Sequence, residues 1–182
     1  EGFGVVTHIG SSVTHVKEGD AAIVTWVPRE PTQGRWRAPS AGVTWNEQPL
    51  DASTYTWGED AIVWGGYVVK VEDDSPKDLS CIVGCAILTG AGAVTHTAKV
   101  RPEESVAIFG VGGVGMSAIQ MASILEAYPI IAVDLEDEKL EFAKEFGATH
   151  TVNAGKVDPV EAIIEITGGG VDYAFDAIGL RI

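Results

Sequence analysis

Cysteine and basic residues are both scarce in this sequence. Its two cysteines, Cys81 and Cys85, are too few for a disulfide scaffold, so we expect a reduced, cytoplasmic protein. Only 12 lysines and arginines stand against 26 acidic residues, and the net charge of −14 makes nucleic acids and anionic membranes poor partners. No uninterrupted apolar run reaches the ~18 residues that predict a membrane-spanning helix. With 46% apolar residues, the chain is expected to form a globular core.

The first part of the chain is rich in short β-type segments. Apolar and β-branched runs separated by turn residues predict strands at residues 2–9, 13–16, 22–26, 61–64 and 67–71. Residues 27–58 interrupt them with four prolines and three tryptophans. This composition predicts a long irregular loop, and its aromatic content argues against disorder. We therefore expect a partial barrel or folded sheet in this part.

The second part of the chain changes to helices and then to alternating strands and helices. Residues 78–99 predict two short helices with a glycine break between them at residues 89–92. Beyond them, strands separated by helices are predicted at residues 106–109, 129–133, 149–152 and 171–175. Such alternation requires a parallel sheet with right-handed crossovers. We predict an α/β protein with a β-rich domain over residues 1–98 and a parallel-sheet domain over residues 99–182.

The strongest motif is a glycine-rich loop between the first parallel strand and its helix. It reads Gly110, Val111, Gly112, Gly113, Val114, Gly115. In a G-x-G-x-x-G loop the first glycine makes a tight turn, the second lets the backbone approach a pyrophosphate, and the last lets the helix pack on the strand. The phosphates then meet the N–H groups at the helix N-terminus. Since a strand precedes the motif and a helix follows it, we predict a dinucleotide site here.

Asp134 completes this motif at the end of the second parallel strand. It lies nineteen residues beyond Gly115, where a carboxylate accepts hydrogen bonds from ribose hydroxyls and repels a 2′-phosphate. The spacing therefore favours NAD over NADP. Two other interpretations stay open: Asp134 could be a helix-capping or surface acid, and a methyltransferase also pairs a glycine-rich loop with an acid after its second strand.

The thiols and imidazoles show no metal-binding pattern by themselves. Cys81 and Cys85 lie four residues apart in an apolar segment, which is typical of small buried hydrophobic residues. The histidines have no partners at metal-like spacing and are expected at the surface or in strands: His8, His15, His96 and His150.

Taken together, the motifs resemble the middle of a zinc-containing medium-chain alcohol dehydrogenase. Residues 1–6 resemble the segment that follows the family's zinc-binding histidine, and residues 16–20 resemble the turn before the next strand. Cys85, preceded by Gly84, and Thr89, followed by Gly90, resemble the family's later catalytic-zinc cysteine and its nicotinamide-contacting threonine. The segment 97–100 and the glycine loop follow at family spacing, so the resemblance covers nearly the whole chain.

This resemblance implies hydride transfer between an alcohol and NAD, assisted by one catalytic zinc ion. It implies that Cys85 is a zinc ligand, that Glu1 lies behind the zinc, and that Thr89 is both a catalytic residue and a contact of the nicotinamide. It adds Lys139 beside Asp134 at the adenosine ribose, and Ile178, to the cofactor-binding residues. The implied fold is a partial GroES-like catalytic domain followed by the first half of a Rossmann domain. The implied parent is a homodimer or homotetramer acting on a small alcohol or carbonyl compound.

The sequence departs from the family in ways that generate further expectations. Residues 27–58 contain no cysteine, so we expect no four-cysteine structural zinc site there. The chain begins with Glu1 rather than Met, and we expect a piece of a longer protein that is inactive alone; a complete domain with a trimmed initiator is the alternative. A zinc-free quinone or enoyl reductase of the same superfamily and a non-catalytic nucleotide-binding fragment remain alternative functions.

Overall fold

The computed structural model describes residues 1–29, 44–49, 56–72 and 74–179, and divides the chain into two compact units. The first unit is Glu1–Cys85 and the second is Ala86–Ile182. The division therefore lies before residue 98, where the sequence predicts a domain boundary, and that boundary stays a prediction. Within the described ranges, no helix has the length and apolar character needed to cross a membrane.

The first unit contains a three-stranded antiparallel sheet. Strand β2 (Ala21–Val24) pairs on one side with β1 (Gly2–Val5) and on the other with β5 (Val68–Lys70). A separate short hairpin joins β3 (Thr44–Trp45) to β4 (Gln48–Pro49). The two residues between those strands, at 46 and 47, both have positive φ angles, as a tight two-residue hairpin turn requires.

Two of the predicted strands in this unit are wrong. Residues 13–16 and 61–64 have irregular backbone, and the first strand ends at Val5 rather than continuing to residue 9. Their apolar residues are nevertheless used for packing, because Val16 is buried and Val13 and Val63 lie against the same small core. The apolar pattern correctly indicated burial, but these side chains reach the core from loops. The irregular loop expected over residues 27–58 lies largely outside the described residues, but its described part includes the hairpin of β3 and β4, which the sequence did not predict.

The predicted glycine break between two helices is also wrong. After α1 (Lys77–Ser80), helical backbone runs from Val83 to Ala98, with α2 (Leu88–Gly92) flanked by the π-helical segments Val83–Ile87 and Ala93–Ala98. Gly90 lies inside α2 because of packing: a Cβ there would lie 2.2 Å from the carbonyl oxygen of Val114, in the next helix. This glycine allows two helices to approach closely and does not end either of them.

The second unit has the predicted parallel sheet. Its strands are β6 (Val106–Phe109), β7 (Ile130–Asp134), β8 (His150–Asn153) and β9 (Tyr173–Asp176), in the order β8-β7-β6-β9. Between them run α3 (Gly113–Ile124), α4 (Asp137–Glu145) and α5 (Pro159–Thr167). Counted along the chain this order is 3-2-1-4, as in the first four strands of a doubly wound nucleotide-binding sheet. The predicted α/β class is confirmed.

Both faces of this sheet are covered. Val106 and Ile108 lie in the core on one face, whereas Ala107, between them, lies in the core on the other. Because strands buried on both faces are continuously apolar, β6 and β7 were readily recognised from sequence. The start of α5 also matches its sequence signature, since the carboxylate of Asp158 accepts hydrogen bonds from the N–H groups of Val160 and Glu161.

Candidate nucleotide-binding site

Two glycines of the 110–115 loop are fixed by the backbone. Gly110 has a φ of +90°, a conformation that other residues rarely adopt, and its N–H donates to the carbonyl of Val133 over 2.8 Å. A Cβ on Gly115 would lie 1.9 Å from the carbonyl oxygen of Gly110. The first glycine therefore makes the turn out of β6, and the last lets α3 begin directly against that turn.

Gly112 has a different environment. Its φ of −80° is ordinary, and no heavy atom lies within 4 Å of the position that a Cβ would occupy. Neither backbone strain nor packing requires glycine here. Gly112 is the N-cap of α3, and no side chain caps this helix end, so the first N–H groups of the helix have no capping acceptor from a side chain. A site for a phosphate group has these properties.

Asp134 joins the glycine loop to the turn that follows β7. One carboxylate oxygen, Oδ2, accepts the N–H of Val111 at 2.8 Å. The other, Oδ1, accepts the N–H groups of Leu135 at 2.7 Å and Glu136 at 3.2 Å. A carboxylate has about four acceptor positions, so three protein donors leave one for a ligand hydroxyl.

These contacts keep Asp134 ionised. Partial burial alone would raise the pKa of Asp134, but the N–H groups of Val111, Glu136 and Leu135 and the nearby charge of Lys139 hold that pKa below its ordinary value. Lys139, in the first turns of α4, pairs with Glu136 through an Nζ–Oε1 distance of 2.7 Å. This pairing, together with the charge of Asp134, raises the pKa of Lys139.

Ile178 borders the same loop from the end of β9. Its Cγ1 lies 2.7 Å from the position that a Cβ on Gly110 would occupy, and half of the side chain remains exposed (52%). The N–H groups of Ile178 and Gly179 donate to Oδ1 of Asp176, which fixes the turn. The carboxyl ends of β6, β7 and β9 therefore meet at this edge of the sheet, where ligands bind in open α/β folds.

The remaining predicted site residues lie elsewhere along the chain. Cys85 is half-buried in the π-helical segment Val83–Ile87, with a free thiol. That segment lies close to β2, since a Cβ on Gly84 would lie 2.2 Å from the carbonyl oxygen of Val24. Thr89 is exposed in α2, and Glu1 is partly exposed before β1. The described part of the chain contains no group of three or more metal-ligating residues. The assigned roles of these residues stay predictions.

Sequence reasoning missed Asn153 as a candidate site residue. It is the last residue of β8, directly beside Asp134 in the parallel register, and its amide contacts the turn after Asp134. An asparagine at the end of a predicted strand was the only signal, and that signal says nothing about its neighbour before the strand pairing is known.

Comparison with known proteins identifies the chain's relatives. The family described as zinc-binding dehydrogenase matches residues 113–181. An S-(hydroxymethyl)glutathione dehydrogenase from Komagataella pastoris is 34% identical over 98% of this chain and 54% of its own length. The solved structure of benzyl alcohol dehydrogenase from Acinetobacter calcoaceticus, with 34% identity, superposes with a TM-score of 0.83 over 98% of this chain and 54% of that one. This chain is related to the zinc-containing medium-chain alcohol dehydrogenases.

The relationship to the alcohol dehydrogenases confirms the resemblance drawn from the motifs, and with it the α/β fold. A further relative, an S-(hydroxymethyl)glutathione dehydrogenase from Aspergillus oryzae, is 36% identical over 98% of this chain and 53% of its own length. The chain thus spans about half the length of the curated S-(hydroxymethyl)glutathione dehydrogenases it matches. Asp134, Lys139 and Ile178 all lie in the segment matched by the family model.

Proposed function

We propose that this chain belongs to an NAD-dependent alcohol dehydrogenase, in which it supplies the adenosine and pyrophosphate side of the cofactor site. The observation that carries the proposal is the open position at Gly112, the N-cap of α3, next to Val111, whose N–H donates to the ionised Asp134. The residues fit a dinucleotide: the N–H groups of α3 suit a pyrophosphate, and the free acceptor position of Asp134 suits a ribose hydroxyl. Bound NAD supplies the hydride acceptor.

The same geometry favours NAD over NADP. A 2′-phosphate would bring a second negative charge next to the carboxylate of Asp134, which three N–H donors hold ionised and in place. Repulsion between like charges in a partly buried site disfavours NADP. Lys139, whose charge also acts on Asp134, offsets only part of this repulsion, because the carboxylate of Glu136 pairs with the same ammonium group.

The zinc part of the proposal rests on the relatives and on Cys85. A catalytic zinc site takes about three protein ligands and one open position. The described residues contain no group of three or more potential ligands, so Cys85 would need partners from elsewhere and we assign no step to a metal. The substrate is proposed to be a small alcohol or carbonyl compound, and the protein a cytoplasmic homodimer or homotetramer.

The central observation is tested by filling the space in front of Gly112. In the full-length protein, Gly112→Ala should weaken NAD binding by about tenfold or more at only a small cost in stability, because the methyl group meets no protein atom and alanine is merely a poorer N-cap than glycine. Gly169→Ala is the matched control, since a Cβ there also meets nothing within 4 Å, in a turn away from the loop. Calorimetric titration with NAD measures both variants. Wild-type affinity in Gly112→Ala would contradict the proposed site.

Turnover separates the proposed activity from its alternatives. Alcohol-dependent reduction of NAD by the full-length protein, together with bound zinc in metal analysis, is the expected result. Quinone reduction by NADPH without alcohol oxidation would instead indicate a zinc-free reductase. NAD binding with no turnover of alcohols, aldehydes or quinones would indicate a non-catalytic nucleotide-binding protein.

A further inference from the structure

Asn153 lies where β8 ends, beside the residue that the cofactor site depends on. In the parallel register it is paired with Asp134 of β7, and the N–H of Ala154 donates to the backbone carbonyl of Asp134 at 3.0 Å. The two strands therefore end side by side, at the same edge of the sheet. The side chain of Asn153 reaches the turn into which Asp134 leads.

The amide of Asn153 uses all of its main hydrogen-bonding atoms on that turn and on its own loop. Nδ2 donates to the carbonyl oxygen of Leu135 at 3.1 Å and to Oδ1 of Asp137 at 2.7 Å. Oδ1 accepts the N–H of Gly155 at 2.9 Å. The orientation of the amide follows from these partners, because a flipped amide would place its oxygen against two acceptors.

The turn after Asp134 is thus held from two sides. From inside, Oδ1 of Asp134 accepts the N–H groups of Leu135 and Glu136. From outside, Asn153 binds the carbonyl of Leu135 and the carboxylate of Asp137, and Lys156 forms an ion pair with the same carboxylate. Removing the outer contacts would free the turn from the end of β8 and from its loop, and would leave the bonds to Asp134 as its link to the cofactor site.

We propose that Asn153 is a positioning residue of the cofactor site: by fixing the turn at residues 135–137, it holds the Asp134 carboxylate where the ribose binds and so sets both the affinity for NAD and the discrimination against NADP. The inference rests on the proposed function. Lys156 adds one exposed ion pair to Asp137, whereas Asn153 links the end of β8 to two points of the turn, the carbonyl of Leu135 and the carboxylate of Asp137.

Two variants of the full-length protein test this role. Asn153→Ala removes all three amide contacts. Asn153→Asp keeps an acceptor for Gly155 but loses both donors, and it adds a negative charge beside Asp137. If the alanine variant fails to fold, the aspartate variant carries the test. Lys144→Met is the control. It breaks an exposed ion pair with Glu141 near the C-terminal end of α4, the helix that begins with Asp137.

Steady-state kinetics with NAD and NADP give the decisive readout. Both Asn153 variants should raise the KM for NAD about five- to tenfold, change the KM for NADP much less, and leave kcat within about twofold of wild type. Lys144→Met should match wild type. A purely structural role would lower the melting temperature without this split between cofactors. An unchanged KM for NAD, or equal losses for NAD and NADP, would overturn the inference. A wild-type protein that uses no NAD would instead overturn the proposed function on which it rests.

Discussion

The carboxylate of Asp134 provides the sharpest test of how the candidate site is built. Asp134→Asn preserves the shape of the side chain but replaces one acceptor oxygen with an NH₂ donor. In the wild-type protein one oxygen accepts from Val111 and the other from Leu135 and Glu136. The asparagine amide can therefore accept on one side only, and on the other it must face a backbone N–H.

The size of the effect follows from where the three bonds lie. Those to Leu135 and Glu136 are exposed, so water replaces the lost acceptor, whereas the bond to Val111 is partly buried. We expect the amide to keep its oxygen toward Val111. The free energy of unfolding should then fall by about 1 kcal/mol, well below the nominal sum for three bonds to a charged group, because solvent screens most of this site.

The direction of the pKa shift of Asp134 determines how the stability difference between wild type and Asp134→Asn depends on pH. Because the pKa of Asp134 is lower in the folded than in the unfolded chain, its carboxylate stabilises the fold above the unfolded-state pKa, and that contribution is lost as the pH falls through the folded-state pKa. Urea unfolding should separate wild type from Asp134→Asn at about pH 7, and the difference should shrink toward about pH 3. Glu141→Gln, at an exposed ion pair, is the control. A difference that is absent at neutral pH, or independent of pH, would refute the reasoning.

Three further substitutions test the packing, the ion pair and the helix cap. Gly115→Ala places a methyl group 1.9 Å from the carbonyl oxygen of Gly110, so calorimetry should show a loss of about 1–3 kcal/mol, and an unchanged melting temperature would contradict the tight loop. The hydrogen bond from Lys70 holds the pKa of the buried Asp20 below its ordinary value, so its contribution to stability disappears on acidification. Circular dichroism should find Asp20→Asn less stable than wild type at neutral pH and closer to it in acid; equal stability at neutral pH would speak against this ion pair. Asp158→Ala removes the cap of α5 and should cost about 1 kcal/mol in urea unfolding; no loss would show that the cap is unimportant.

The second unit was largely predictable because its signals are local. Strands buried on both faces appear as short apolar runs, and helices such as α5 carry their own start and stop residues. The first unit was less predictable. Val13, Val16 and Val63 have the composition of strand residues, yet they pack into a shared core from irregular backbone. Their apolar character indicates that they are buried, but the tertiary arrangement determines whether a strand or a loop brings them into the core.

The residues in and around the candidate site likewise fall into those that were predictable from local sequence and those that were not. The glycine loop and Asp134 were predictable, since tight turns and close helix packing leave a fixed spacing in the sequence. Gly90 was misinterpreted as a helix break. A glycine is required there because the backbone of α3 packs against it, and α3 lies more than twenty residues further along the chain. Asn153 was missed for a related reason: it becomes a neighbour of Asp134 only when β7 pairs with β8.

Cofactor selection by the full-length protein tests the central claim most directly. The account holds that Asp134, kept ionised and in place by the glycine loop and its own turn, accepts a ribose hydroxyl and rejects a 2′-phosphate. Calorimetric titration should therefore show NAD binding at least about tenfold more tightly than NADP, and Asp134→Ala should narrow that ratio. NADP bound as tightly as NAD by the wild-type protein would contradict the account.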